Sequence, residues 1–184
     1  MIDRAKWVTV VRMSVPEPRD PLGPYRICLV CLGNICRSPM AEQVLRTDLE
    51  RAGLGEAVVL DSAGTGNWHI GSGMDERAAA TLRVHGYPTE HVARVFQPAW
   101  FAERDLVLAM DTDNLADLSR LAPDEEAART RLRLFRSFAP GTGLHPEVPD
   151  PYYGGDDGFT TVLTMIESAS KGLTGELAML LAAD

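Results

Sequence analysis

The stretch Tyr25–Pro39 constrains the fold more than any other part of the chain. Tyr25–Val30 is a short apolar run with the length of a buried strand. It runs directly into the loop Cys31-Leu32-Gly33-Asn34-Ile35-Cys36-Arg37-Ser38-Pro39. Apolar residues then recur at Ala41, Val44, Leu45 and Leu49, which is helical spacing over Ser38–Ala52. A buried strand that enters a helix through a tight loop is half of a βαβ unit. Such a unit needs a parallel partner strand and cover on both faces of its sheet.

The rest of the chain supplies both. Val58–Leu60 reads as a second strand, Asp75–His85 as a helix stopped by Gly86, and Leu106–Met110 as a third strand. Asp111–Leu121 reads as a helix capped by Asp111 or Thr112, followed by a further helical turn or two over Asp124–Arg131. Leu132–Phe138 reads as a fourth strand and Asp157–Leu181 as a long terminal helix with Gly172 and Gly175 as weak points. The expected fold is α/β: a four-stranded parallel sheet with helices on both faces and a phosphate-binding loop between the first strand and the first helix. Ligands in such folds sit at the carboxyl ends of the strands.

Upstream of the first strand, residues 14–24 carry four prolines, at Pro16, Pro18, Pro21 and Pro24. The expectation is an N-terminal extension and Pro-rich linker over residues 1–25 and one domain over residues 26–184. A chain of 184 residues is long enough to bury a core without disulfides or a metal.

Composition narrows the function classes. A net charge of −8 argues against a nucleic-acid surface. No apolar run approaches the roughly 20 residues of a membrane helix. The apolar stretch Trp7–Val11 is too short for a signal peptide and no cleavage site follows it. A cytoplasmic monomer is expected, with export by a signal-independent route left open. The three cysteines, Cys28, Cys31 and Cys36, crowd into nine residues. That is neither a disulfide framework nor a zinc site, because no second pair lies downstream and the histidines are scattered. Clustered cysteines in a reducing compartment point to reactive chemistry.

The loop has the makings of an anion cradle. Its N–H groups and the dipole of the following helix converge on one spot. Gly33 and Asn34 tolerate the positive φ of such a nest. Arg37 offers two parallel donors to a phosphate, and Pro39 suits the first helical turn. A thiolate is the form this field favours at Cys31, and a thiolate in a phosphate cradle can attack phosphorus. Cys31 and Cys36 could also be a redox couple, although their spacing is not Cys-x-x-Cys. The segment Asp150-Pro151-Tyr152-Tyr153-Gly154-Gly155 follows the fourth strand and can reach the same edge. Taken alone it favours a plain turn. A lone carboxylate beside two tyrosines is also compatible with a site wall that holds a general acid. Cys28 alternates with Ile27 and Leu29 and reads as core, and His85 as a helix-terminal residue.

The segments Cys31–Glu42 (CLGNICRSPMAE) and Asp150–Gly154 (DPYYG) resemble the two signatures of low-molecular-weight protein tyrosine phosphatases. Leu60–Gly64, His85–Pro88, His91–Arg94 and Ala109–Asp111 resemble further segments of that family in the same order. Gly66–His69 resembles actinobacterial members in particular. The resemblance covers about residues 26–184.

It implies hydrolysis of protein phosphotyrosine, without a cofactor or metal, through a phosphocysteine on Cys31. Arg37 would bind the phosphoryl oxygens, Ser38 would donate to the sulfur, and Asp150 would serve as general acid and then general base. Leu32, Gly33, Asn34, Ile35, Cys36, Trp68, Tyr152 and Tyr153 would form the substrate site. Asn34 would also hold the loop in shape, with Ser62 and His91 in support, and His91 reads as structural rather than catalytic. Cys36 would protect Cys31 through a reversible disulfide. The partners implied are tyrosine-phosphorylated proteins. Two other readings stand beside this one. Arsenate reductases share the fold and loop but need further cysteines, and none follows Cys36. A non-catalytic phosphopeptide-binding module would not need Cys31, Arg37 and Asp150 together. Protein arginine phosphatases carry Thr where this loop has Ile35.

Overall fold

The computed structural model describes residues 15–143 and 146–182. Four parallel strands form one sheet in the order β2-β1-β3-β4: β1 is Tyr25–Cys31, β2 Val58–Gly64, β3 Leu106–Ala109 and β4 Leu132–Leu134. Among the described residues, five α-helices connect and cover them: α1 Arg37–Arg51, α2 Glu76–Val84, α3 Thr112–Leu121, α4 Glu125–Arg131 and α5 Asp156–Leu181. The α/β fold with its four-stranded parallel sheet is as expected.

Burial follows from β1. Its alternate residues point to opposite faces, and both faces are closed. Tyr25, Ile27 and Leu29 join Met40, Val44 and Leu45 of α1 and Phe159, Ile166 and Leu173 of α5 in one core. Cys28 and Val30 join Phe96, Phe101, Val107 and Leu118 in the other, so Cys28 is core as its alternation implied. A strand sealed on both sides must be a near-continuous apolar run, which is why Tyr25–Val30 was legible.

Three elements differ from expectation. β2 runs on through Asp61 and Ser62 to Gly64, because pairing with Cys28–Cys31 of β1 outweighs two polar side chains. β4 stops at Leu134, and Phe135–Phe138 is a 3₁₀ turn. Phe135 and Phe138 are both buried at a spacing of three, which a turn satisfies and an alternating strand does not. α5 passes through Gly172 without a break. A Cβ at Gly172 would lie 1.9 Å from the Phe138 carbonyl oxygen, so the glycine lets α5 press against the 3₁₀ turn.

The Pro-rich stretch is seated on the domain. Val15 is buried and its N–H donates to Glu176 (3.3 Å), while the Tyr25 hydroxyl donates to the Pro16 carbonyl (2.9 Å). The Arg19 N–H donates to Asp105 (2.7 Å) and its guanidinium to the carbonyls of Phe101 and Arg104. These contacts lie at the amino ends of β1 and β3. Residues 1–14 of the expected extension fall outside the described residues. None of the described helices is long and apolar enough to cross a membrane.

The chain passes from β1 to β2 on one side and then crosses to β3 on the other. The carboxyl end of β1 is therefore a topological switch point, where an open sheet leaves a crevice.

Candidate active site

Cys31 closes β1 at that crevice, and the loop to α1 folds around it. The end of β2 lies against the loop: Thr65 N–H donates to Cys31 O (2.9 Å) and Gly66 N–H to Leu32 O (2.8 Å). A Cβ at Gly64 would stand 2.7 Å from Leu32 O, so this approach requires glycine there. Asp75 caps α2 with its side chain, and its N–H donates to Ile35 O (2.8 Å), which fixes the far side of the loop.

Asn34 is the hub behind the thiol. It is fully buried with φ of +55°. Its amide donates to the hydroxyls of Ser38 and Ser62, both at 2.9 Å, and its Oδ1 accepts from Arg94 N–H (2.9 Å). Its carbonyl accepts from His91 Nε2 (2.6 Å), which must carry the proton because its partner is an acceptor. Burial pushes the His91 pKa down, against the pull of that hydrogen bond, and so favours the neutral ring. Ser38 Oγ lies 3.0 Å from Cys31 Sγ and 3.2 Å from the Ala63 carbonyl. Since it already accepts from Asn34, its proton faces one of these two. Asn34 N–H also donates to the sulfur (3.3 Å).

Arg37, the first residue of α1, lines the cleft. It is almost fully buried, donates to Asp111 and the Val148 carbonyl through Nη1, and donates to Asp150 Oδ2 (2.8 Å) through Nη2. Burial works against its charge, but Cys31, Asp111 and Asp150 outweigh that and push its pKa up. Asp150 Oδ1 accepts from Tyr152 N–H (3.1 Å), an Asx turn that orients the carboxylate.

These groups open on one cleft of about 320 Å³ lined by Cys31, Leu32, Gly33, Ile35, Cys36, Arg37, Trp68, His69, Asp150, Tyr152 and Tyr153. The structure thus brings the expected thiol, guanidinium, carboxylate and aromatic walls together. Asn34, grouped above with the substrate-site residues, does not line the cleft, because its amide is engaged with Ser38, Ser62 and Arg94. Ser38, Ser62 and His91 stand behind the loop with it. Cys36 is buried at the cleft floor, and its thiol is pushed up to about 12 by burial, with Asp75 and Cys31 adding to the shift. Trp68 is 71% exposed, and its ring lies so close over Gly66 that a Cβ there would be 1.8 Å from it. Tyr152 and Tyr153 meet edge to face at 5.1 Å.

Sequence reasoning missed three residues. His69 lies in the wall beside Gly33. Asp111, one of the two residues expected to cap α3, does so through Oδ1, and its Oδ2 holds Arg37. Arg77 donates to the Tyr152 carbonyl (3.1 Å) with its guanidinium 5.3 Å from the Tyr152 ring centre, bracing that wall. The DPYYG turn gave no sign of a partner 75 residues away.

A thiol seated at a helix N-terminus, on the switch point of an open parallel sheet, with an arginine and a carboxylate facing it, defines a class: α/β enzymes that handle phosphate. The comparisons narrow it. Residues 26–181 match the model of the family described as low molecular weight phosphotyrosine protein phosphatase. A low molecular weight protein-tyrosine-phosphatase of Streptomyces coelicolor is 56% identical over 150 residues, covering 81% of this chain and 91% of the relative. Low molecular weight protein-tyrosine phosphatase A of Mycobacterium tuberculosis is 50% identical over 151 residues, covering 82% and 90%. The crystal structure of a protein tyrosine phosphatase from Entamoeba histolytica superposes with a TM-score of 0.78 at 36% identity, covering 83% of this chain and 96% of that one. The chain belongs to the low molecular weight phosphotyrosine protein phosphatase family, and it is an enzyme of that class.

Proposed function

We propose that the protein hydrolyses phosphotyrosine on proteins through a phosphocysteine. The Cys31 thiolate attacks phosphorus, an S–P bond forms and the P–O bond to the tyrosine ring breaks. Asp150 passes its proton to the departing phenolate, which at a pKa near 10 leaves poorly at neutral pH without help. Water then attacks the phosphocysteine and gives its proton to Asp150. The S–P bond breaks, and Ser38 donates to the departing sulfur. Arg37 and the loop amides carry the developing charge on the phosphoryl oxygens. The observation that supports this most is the meeting of Cys31, Arg37 and Asp150 at one cleft, with the Ser38 hydroxyl behind the loop 3.0 Å from the sulfur.

The aromatic walls support a preference for phosphotyrosine. A long flat ring can lie between Tyr152, Tyr153 and Trp68 with its phosphate at Cys31, whereas a phosphoserine would have to bring its backbone into the cleft. Ile35 adds an apolar contact where a Thr would offer a hydrogen bond. Under oxidation by peroxide, a sulfenic acid on Cys31 would condense with the Cys36 thiol to a disulfide, releasing water. The raised pKa of Cys36 keeps that thiol protonated and slows the capture. On this reading the substrates are tyrosine-phosphorylated proteins.

Kinetics on matched phosphopeptides test the reading. The expected result is a higher kcat/KM on phosphotyrosine than on phosphoserine, phosphothreonine or phosphoarginine peptides, reduced in Trp68→Ala. Equal kcat/KM on phosphotyrosine and phosphoserine would overturn the preference.

A further inference from the structure

The segment that delivers Asp150 is anchored at a second point, away from the thiol. Residues 146–150 form no helix or strand, so isolated contacts fix their course. Val148 is fully buried, its N–H donates to the Met110 carbonyl (2.8 Å), and its carbonyl accepts from Arg37. Glu147 makes the other anchor. Its Oε1 accepts from the backbone N–H of Thr112 (2.8 Å) and from the Thr112 hydroxyl (2.6 Å), and its carbonyl accepts from Arg136 (3.0 Å). Thr112 opens α3, where free N–H groups and the helix dipole favour a carboxylate. The residue before it, Asp111, holds Arg37. One helix end therefore seats both partners of the Arg37–Asp150 pair: Arg37 through Asp111, and the Asp150 segment through Glu147.

We propose that Glu147 is a positioning residue for Asp150, and this rests on the reading of Asp150 as the general acid. Glu147 lines neither the cradle nor the cleft. Its bonds to Thr112 fix the 146–150 segment against α3, so that the Asp150 carboxyl stands where a leaving phenolate needs its proton. A displaced acid loses proton transfer steeply with distance and leaves nucleophilic attack and phosphate binding intact.

The test is kcat/KM on aryl phosphates of graded leaving-group acidity, for the parent, Glu147→Ala, Glu147→Gln, Thr112→Val and Asp150→Ala, with competitive inhibition by inorganic phosphate measured alongside. Glu147→Ala is expected to lose roughly 10-fold to 10²-fold on poor leaving groups and little on acidic ones. Phosphate inhibition should stay within about twofold of the parent, because the cradle that binds phosphate is untouched. Glu147→Gln, whose amide oxygen still accepts from Thr112, should recover most of the loss. Thr112→Val should shift in the same direction by less, since its N–H remains. A Glu147→Ala loss equal across leaving groups, or no loss while Asp150→Ala shows the selective one, would overturn the role of Glu147. If Asp150→Ala itself shows no leaving-group dependence, the assignment of the general acid fails instead.

Discussion

Asn34 shows how much of the cradle one residue can hold. Its φ of +55° is a conformation that a side chain with a Cβ adopts at a cost, and Asn is among the residues that tolerate it. Its amide and carbonyl tie together the Ser38 and Ser62 hydroxyls, the Arg94 backbone and the His91 ring. Ser38 in turn orients on the sulfur, so the thiol environment depends on an amide that never reaches the cleft. Both Asn34→Gly and Asn34→Ala lose the amide bonds, and leaving buried partners unsatisfied costs about 1–3 kcal/mol. Ala alone also keeps the backbone penalty, so it should be the less stable of the two by about 1 kcal/mol in denaturant unfolding. Equal stability would show that the backbone at Asn34 is not strained.

At the level of elements, the segment carrying His91 and the packing of α5 each support a prediction. Burial depresses the His91 pKa below its unfolded value near 6.5. The unfolded chain therefore takes up a proton that the folded chain does not. The stability contributed is fully present above about pH 6.5 and is lost as pH falls toward the depressed value. His91→Gln, which keeps a donor near the Asn34 carbonyl, should flatten that part of the profile between pH 7.5 and 5.5. An unchanged slope would mean that other groups set the acid limit. On α5, Gly172→Ala would set a methyl 1.9 Å from the Phe138 carbonyl oxygen, and it should destabilise by roughly 1–3 kcal/mol although alanine favours helices. A stabilised variant would show that the helix can slide away.

The elements also show where sequence reading succeeds and stops. β1, the cradle and α1 were legible because one continuous segment carries the apolar run, the loop chemistry and the helical spacing. The switch from strand to turn at Phe135 was not, because an apolar run fits both until its packing partner is known, and that partner is Gly172 of α5. Asp111 was visible as one of two candidate caps. Its bond to Arg37 spans 74 residues and follows from the crossover between β1 and β3, which local patterns do not encode. Glu147 gave no local signal, since a carboxylate in a loop looks the same whether it is solvated or seated on a helix end.

At the scale of the whole molecule, the two edges of the sheet carry different tasks. The carboxyl edge holds the cleft, and the amino edge holds the arm of residues 15–24. Asp105 joins that arm to the sheet: it is buried, and its two oxygens accept from the N–H groups of Arg19 and Arg26, both at 2.7 Å. Asp105→Ala should cost roughly 2–4 kcal/mol, seen as a lower Tm, because two donors lose their acceptor. The folded fraction should keep the parent's kcat/KM, since none of the described residues at the amino edge lines the cleft. A loss of kcat/KM in folded protein would show that the two edges are coupled.

The central claim is that phosphorus passes through Cys31. A denaturing quench of the enzyme during turnover of a phosphotyrosine peptide, followed by peptide mass spectrometry, tests it most directly. The account predicts a phosphoryl group on the Cys31 sulfur, and a folded Cys31→Ser variant with neither the adduct nor turnover, because a hydroxyl with no adjacent base is not ionised at neutral pH. A phosphoryl group on another side chain, or appreciable turnover by Cys31→Ser, would contradict it.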